Sequence, residues 1–102
     1  VFRLRDARAT IVPGTDAGIN PAKPHDVVRY AVEQQVLLGM STDEALRSAT
    51  STGAAVCGLG DRKGRIAEGF DADVLAIDGD PLTDPGALHN IRAVFLRGER
   101  LR

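Results

Sequence analysis

The sequence is poor in cysteine and in aromatic residues: it has one cysteine, no tryptophan, one tyrosine and three phenylalanines among 102 residues. A lone Cys57 excludes an internal disulfide and a cysteine-based zinc site, and it fits a cytoplasmic protein. No apolar run approaches the roughly 20 residues that a membrane-crossing helix needs. An excess of one charge is missing too. Thirteen Lys and Arg stand against fourteen Asp and Glu, a formal net charge of −1, and the basic residues are dispersed. Neither nucleic acid nor an anionic membrane is therefore an expected partner. The first residues also lack the charged and apolar regions of a secretory signal.

What is present is ordinary for a globular chain, with 43% hydrophobic and 26% charged residues. The length suits one small domain or a piece of a larger one. Ala9-Thr10-Ile11-Val12 reads as a short buried strand that follows the end of a helix and stops at Pro13-Gly14. Residues 14–25 hold too many glycines and prolines for regular structure. From Asp26 onward, Val28, Ala31, Val32 and Val36 mark one helical face, with Gly39 as its stop and Met40 folding back on the last turn. Ser41-Thr42-Asp43-Glu44 is a capping box. It should start a second helix, rich in small residues, that continues to Gly58 or Gly60. Beyond Gly60 short strands and turns are expected: Arg65-Ile66-Ala67-Glu68 between two glycines, a strand at Val74-Leu75-Ala76-Ile77, a turn at Asp78-Gly79-Asp80-Pro81, and a strand at Ala93-Val94-Phe95-Leu96. Arg97-Gly98-Glu99-Arg100 is then a hairpin turn before a last short strand.

Asp16, in Gly14-Thr15-Asp16-Ala17-Gly18, is the sharpest candidate for chemistry. A carboxylate just after a strand, flanked by glycines, is open to close approach and suits a metal ligand or a general base. An isolated Asp among glycines also serves simply as a turn residue. His25 and His89 have no second ligand at helical or strand spacing, so capping or solvent-facing roles are expected. The acidic series Asp71, Asp73, Asp78, Asp80 and Asp84 lacks calcium-loop spacing and reads as turn and strand-edge residues. The glycines from Gly58 to Gly64 imitate a phosphate loop, but they follow a helix rather than a strand, and Lys63 precedes the last glycine. Cys57 is expected to be a small buried apolar residue.

The order of these pieces resembles the C-terminal part of the amidohydrolase superfamily of metal-dependent hydrolases, in particular its imidazolonepropionase and Xaa-Pro dipeptidase branch. The matching residues are Ile11-Val12-Pro13-Gly14-Thr15-Asp16-Ala17-Gly18, Leu38-Gly39-Met40-Ser41, Glu44-Ala45-Leu46 and Ala49-Thr50. Gly58-Leu59-Gly60-Asp61, Gly64-Arg65-Ile66-Ala67-Glu68-Gly69, Ala72-Asp73-Val74, Asp80-Pro81-Leu82-Thr83-Asp84 and Val94-Phe95-Leu96-Arg97-Gly98 continue it. The resemblance implies an α+β fragment. Residues 1–60 would be the last strand and helices of a (β/α)8 TIM barrel, and residues 61–102 the C-terminal strands of the small β-sandwich that flanks it. It also implies that Asp16 binds the catalytic metal and takes the proton of the hydrolytic water.

The histidines that complete such a site are absent, since no His-x-His pair occurs in the chain. Zinc or another divalent metal is therefore expected in a longer parent protein and not stably held by this chain alone. A barrel needs about 250 residues, so the chain, which opens Val1-Phe2-Arg3 without methionine, is expected to be a C-terminal piece. The implied function is hydrolysis of a C–N bond in a small amide, dipeptide or cyclic amide by metal-activated water, with the isolated chain inactive. The alternative is a stand-alone, non-catalytic α+β binding or assembly module. In either case open sheet edges would favour self-association.

Overall fold

Helix ends fix the shape of the first half. The computed structural model describes residue 4 and residues 6–102. Leu4 and Asp6 are helical, and the Ala9 N–H closes that turn on the Leu4 carbonyl at 2.9 Å. The next helix, α1, spans Val28–Leu37. It ends where Gly39 takes φ +101°, its N–H donating to the Val36 carbonyl and the Met40 N–H to that of Gln35, each at 3.0 Å. This pairing satisfies two carbonyls that the helix would otherwise leave open, and it turns Met40 inward, where it is buried. The fold-back expected from the sequence is therefore present. Of the expected α1 face, Val32 is buried and Val36 packs against the core, but Val28 is half exposed.

The capping box forms as expected. Helix α2 spans Thr42–Ala49; the Glu44 N–H donates to the Ser41 hydroxyl at 3.1 Å, and the Ser41 N–H donates to Glu44 Oε2 at 3.0 Å. Asp43 and Glu44 also lie in the first turn, where their charge complements the helix dipole. Ser41→Ala keeps the Glu44 contact and loses the hydroxyl acceptor, so it is expected to destabilise the fold by about 1 kcal/mol. A fall in the urea midpoint on that scale checks it, and an unchanged midpoint refutes it.

The second helix is not continuous to Gly58. It breaks at Thr50 (φ −124°, ψ −96°), and a separate helix, α3, spans Ser51–Val56. Two side chains turn back on the preceding turn here: the Thr50 hydroxyl donates to the Leu46 carbonyl at 2.7 Å, and the Ser48 hydroxyl lies 2.7 Å from the Ala45 carbonyl. Such local bonds compete with the helical ladder and favour a break. Cys57, at the C-terminal end of α3, is exposed, contrary to the buried role expected for it. Its helix is only six residues long and buries none of them.

The second half is a three-stranded antiparallel sheet in the order β1-β2-β3: β1 Val74–Ile77, β2 Ile91–Leu96 and β3 Glu99–Arg100. Val74 faces Phe95 and Ala76 faces Ala93, with a register shift after Ala76. A 3-10 helix, Pro85–His89, fills the connection between β1 and β2. The hairpin turn is shorter than expected. Only Arg97 and Gly98 form it, both at positive φ (+49° and +82°), and Glu99–Arg100 is already strand. A two-residue turn of this hand matches the twist of the strands it joins. Residues 65–68 form no strand, and Ile66 is 86% exposed.

One core joins the two halves: Val32, Met40 and Ala45 pack with Leu88 of the 3-10 helix, and Ile11, Val36, Leu46, Ala49 and Ile77 close around them. Ile11 contributes to this core, yet residues 9–12 are not a strand. The reason is that a strand exists only where a neighbour takes its hydrogen bonds, and the three described strands all pair elsewhere. The segment is irregular chain instead. Leu75, Leu96 and Leu101 on or beside the sheet remain about half exposed.

Candidate functional site

Residues 14–25 carry Asp16 away from the core on a folded loop. Asp16 itself has φ +50°, its carbonyl accepts the Ile19 N–H at 3.3 Å, and the Ala17 N–H donates to the Thr15 hydroxyl at 3.2 Å. These bonds leave the carboxylate out of the turn. Asp16 is exposed, and its side chain makes no hydrogen bond or ion pair among the described residues. The loop then returns on itself through the Gly18 N–H, which donates to the Lys23 carbonyl at 2.6 Å, and the Lys23 N–H, which donates to the Asn20 carbonyl at 3.0 Å. That return brings the His25 ring onto Gly18. Helix α1 begins beyond it with no side-chain cap, so His25 is not a capping residue.

His89 lies elsewhere and pairs with Glu33 of α1, its ring tilted against that of Tyr30 at 4.5 Å between centroids. The pair ties the 3-10 helix to α1 and is part-buried. Nothing in the sequence announces it, because the partners are 56 positions apart and neither belongs to a motif. The same is true of the buried contact between Gln35 and Ser48, whose hydroxyl donates to Gln35 Oε1 at 2.8 Å.

The acidic residues of the second half serve turns and strand ends, as the sequence suggests. Asp80 accepts the Leu82 N–H and Asp84 the Gly86 N–H, both at 2.9 Å, and Asp78 meets Arg92 at 3.3 Å. Lys63 Nζ bridges Asp71 and Asp73 at 2.8 and 2.7 Å, and Asp73 also accepts the Arg97 N–H at 3.0 Å. Lys63 thereby ties the Gly58–Gly64 segment to the hairpin through Asp73. Among the described residues no three His, Cys, Asp or Glu side chains gather closely enough to hold a metal ion. Asp16 fits a divalent cation as one hard oxygen donor of a larger set.

The Lys63 cluster has a pH signature. The hydrogen bond to Asp71, then that to Asp73, raises the Lys63 ammonium above its ordinary value. The Lys63 hydrogen bond, then the Arg97 N–H, lowers the Asp73 carboxyl. The depressed Asp73 lends stability that is complete above about pH 4 and is lost as the pH falls through its lower, folded value. The raised Lys63 lends stability that is complete below about pH 10.4 and is lost as the pH rises through its higher, folded value. Asp73→Asn is therefore expected to shrink the acid limb of a plot of melting temperature against pH. An acid limb identical to wild type refutes it.

The whole chain matches known proteins. Residues 1–101 match the model of the family described as "Amidohydrolase family". The imidazolonepropionase of Thermoplasma volcanium is 37% identical over 77 residues, which cover 72% of this chain and 17% of that protein. A Bifidobacterium longum protein assigned as a prolidase superposes with a TM-score of 0.90 at 30% identity, over 97% of this chain and 24% of that one. An Xaa-Pro dipeptidase with methionine bound in its active site gives a TM-score of 0.87 at 29% identity, over 98% of this chain and 24% of that one. The chain thus spans about a quarter of these solved structures and less of the curated relative. It belongs to the amidohydrolase family and corresponds to a C-terminal portion of it, a small α+β segment.

Proposed function

We propose that this chain completes a metal-dependent amidohydrolase that hydrolyses a C–N bond in a small amide, a dipeptide or a cyclic amide. In this reading residues 1–60 supply the last strand and helices of a (β/α)8 barrel, and residues 61–102 supply strands of the flanking β-sandwich. The exposed apolar side chains of Leu75, Leu96 and Leu101 support the second assignment, because a sandwich covers one face of each sheet. The β-branched composition of residues 9–12 and the packing of Ile11 on the core support the first, as parallel barrel strands form only beside their neighbours. A dipeptidase among the similar structures supports a small substrate of the amide type.

The observation that carries the reading is the Asp16 carboxylate, exposed four residues beyond that segment and without a partner among the described residues. Barrel active sites lie at the C-terminal ends of the strands, which is where Asp16 then falls. With Asp16 among its ligands, a divalent ion such as zinc supplies Lewis acidity that polarises the scissile carbonyl and makes water easier to deprotonate. Asp16 takes a proton from the attacking water as the C–O bond forms. It returns that proton to the leaving nitrogen as the C–N bond breaks, so that one water is consumed and an acid and an amine are released. The Asp16 carboxylate is exposed and makes no bond among the described residues, so both oxygens are available for these roles.

The test uses the full-length protein that contains this chain and a panel of dipeptides with C-terminal proline and of N-acyl amino acids. Amine release should vanish after exhaustive chelation and return with zinc. Hydrolysis that survives complete metal removal sinks the reading.

A further inference from the structure

Two residues beyond Asp16, the His25 ring lies against Gly18. A Cβ there would lie 2.5 Å from His25 Cε1 and 2.9 Å from Nε2, closer than non-bonded atoms approach, and 3.3 Å from Nδ1, so any side chain at this position would have to push the ring aside. The ring therefore rests on the Gly18 α-carbon. This contact adds to the backbone bonds of the loop: Gly18 N–H to Lys23 carbonyl, Lys23 N–H to Asn20 carbonyl, and Ile19 N–H to Asp16 carbonyl. Asn20 adds a turn of its own, its Oδ1 accepting the Ala22 N–H at 2.9 Å.

His25 is exposed, and its ring nitrogens meet no partner among the described residues. The ring thus lies against the segment that holds Asp16, in van der Waals contact and without a hydrogen bond. The φ of +86° is what calls for glycine here.

We propose that His25 is a positioning residue for Asp16: its ring, packed on Gly18, fixes the loop so that the carboxylate two residues earlier keeps one direction. The proposal rests on the reading of Asp16 as the catalytic base. Its action is through volume, not through the ring nitrogens, and that makes it separable from a substrate contact. Displacements near 1 Å at a reacting group lower rates by about a hundredfold, so loss of the ring should appear mainly in kcat.

The experiment uses the full-length protein with His25→Ala, His25→Phe and Asp16→Asn, read by hydrolysis of an Xaa-Pro dipeptide and by amide hydrogen exchange over residues 14–25. His25→Ala should lower kcat by about ten- to a hundredfold, with KM changed by less than about threefold, and should speed exchange in the loop. His25→Phe, which keeps the ring and discards its nitrogens, should restore both readouts to near wild type. Unchanged exchange and kcat in His25→Ala overturn the proposal. So does a His25→Phe variant as impaired as His25→Ala, because the nitrogens would then be what matters. Asp16→Asn separates the two readings: if it stays active, the assignment of Asp16 fails, while loop exchange in the His25 variants still decides whether the ring holds the loop.

Discussion

Asp16→Asn should lower kcat/KM of the full-length protein by about 10²–10⁴-fold, the usual worth of a positioned acid–base group, and should leave the stability of the metal-free protein, where no ion is there to be lost, almost untouched. Both parts follow from local structure. Asparagine is nearly isosteric with aspartate and tolerates the left-handed region almost as glycine does, so φ +50° at this position adds no strain. The carboxylate makes no hydrogen bond or ion pair among the described residues, so there is no contact for the amide to lose. An exposed replacement of this kind typically changes stability by no more than about 0.5 kcal/mol. The neutral amide cannot accept a proton from water, and it is a poorer donor to a divalent cation than a carboxylate. A fall in activity with an unchanged melting curve therefore assigns the loss to chemistry. Wild-type turnover in Asp16→Asn reduces Asp16 to a turn residue, the bland role that a lone aspartate among glycines often has. A fall in both readouts would mean that the side chain is structural.

The parts of the fold that could be read in the sequence are those set by neighbours within about five residues. Ser41 and Glu44 form their box because both partners lie on one turn, and Gly39 with Met40 ends α1 through bonds that reach no further back than Gln35. Arg97-Gly98 turns the hairpin because Gly98 accepts a positive φ, although the turn takes two residues and not four. Where the outcome depends on distant partners, local reading fails. Ala9-Thr10-Ile11-Val12 has the composition of a strand but no neighbour here to bond with. The run of small residues from Ala45 to Ala55 suggests one helix, yet the Thr50 hydroxyl takes the Leu46 carbonyl and the helix breaks. Asp16 stands out in the sequence through its flanking glycines. The contact of His25 with Gly18 does not, since it depends on a loop that folds back over seven residues.

Gly64 shows how a rejected motif acquires a physical role, and its substitution should have the largest effect on stability. Its φ is +96°, and a Cβ would sit 2.8 Å from Ala54 Cβ, 2.8 Å from the Thr50 carbonyl oxygen and 2.9 Å from Ser51 Cα. Two of those three atoms are backbone at the break between α2 and α3, so they cannot swing aside as a flexible side chain would. The neighbouring Lys63 holds the same turn to Asp71 and Asp73. The loop is thus fastened on one side to the sheet by charge and seated on the other against the helix break by the missing side chain. Gly64→Ala adds the left-handed penalty of about 1–2 kcal/mol to an overpacking penalty of about 1–3 kcal/mol. The expected loss is therefore about 2–5 kcal/mol, enough to lower the melting temperature of a chain this size by about 10 °C or more. Gly58→Ala is the internal control, because Gly58 also has positive φ (+76°) but nothing lies within 4 Å of its would-be Cβ. It should lose only the backbone part. Equal losses at the two positions would mean that the turn relaxes away from Thr50 and Ser51 at no cost, and that the close approach of Gly64 does not hold the two halves together. A clearly larger loss at Gly64 would make this contact, with the Leu88 packing in the core, a second fastening between the helical and sheet halves.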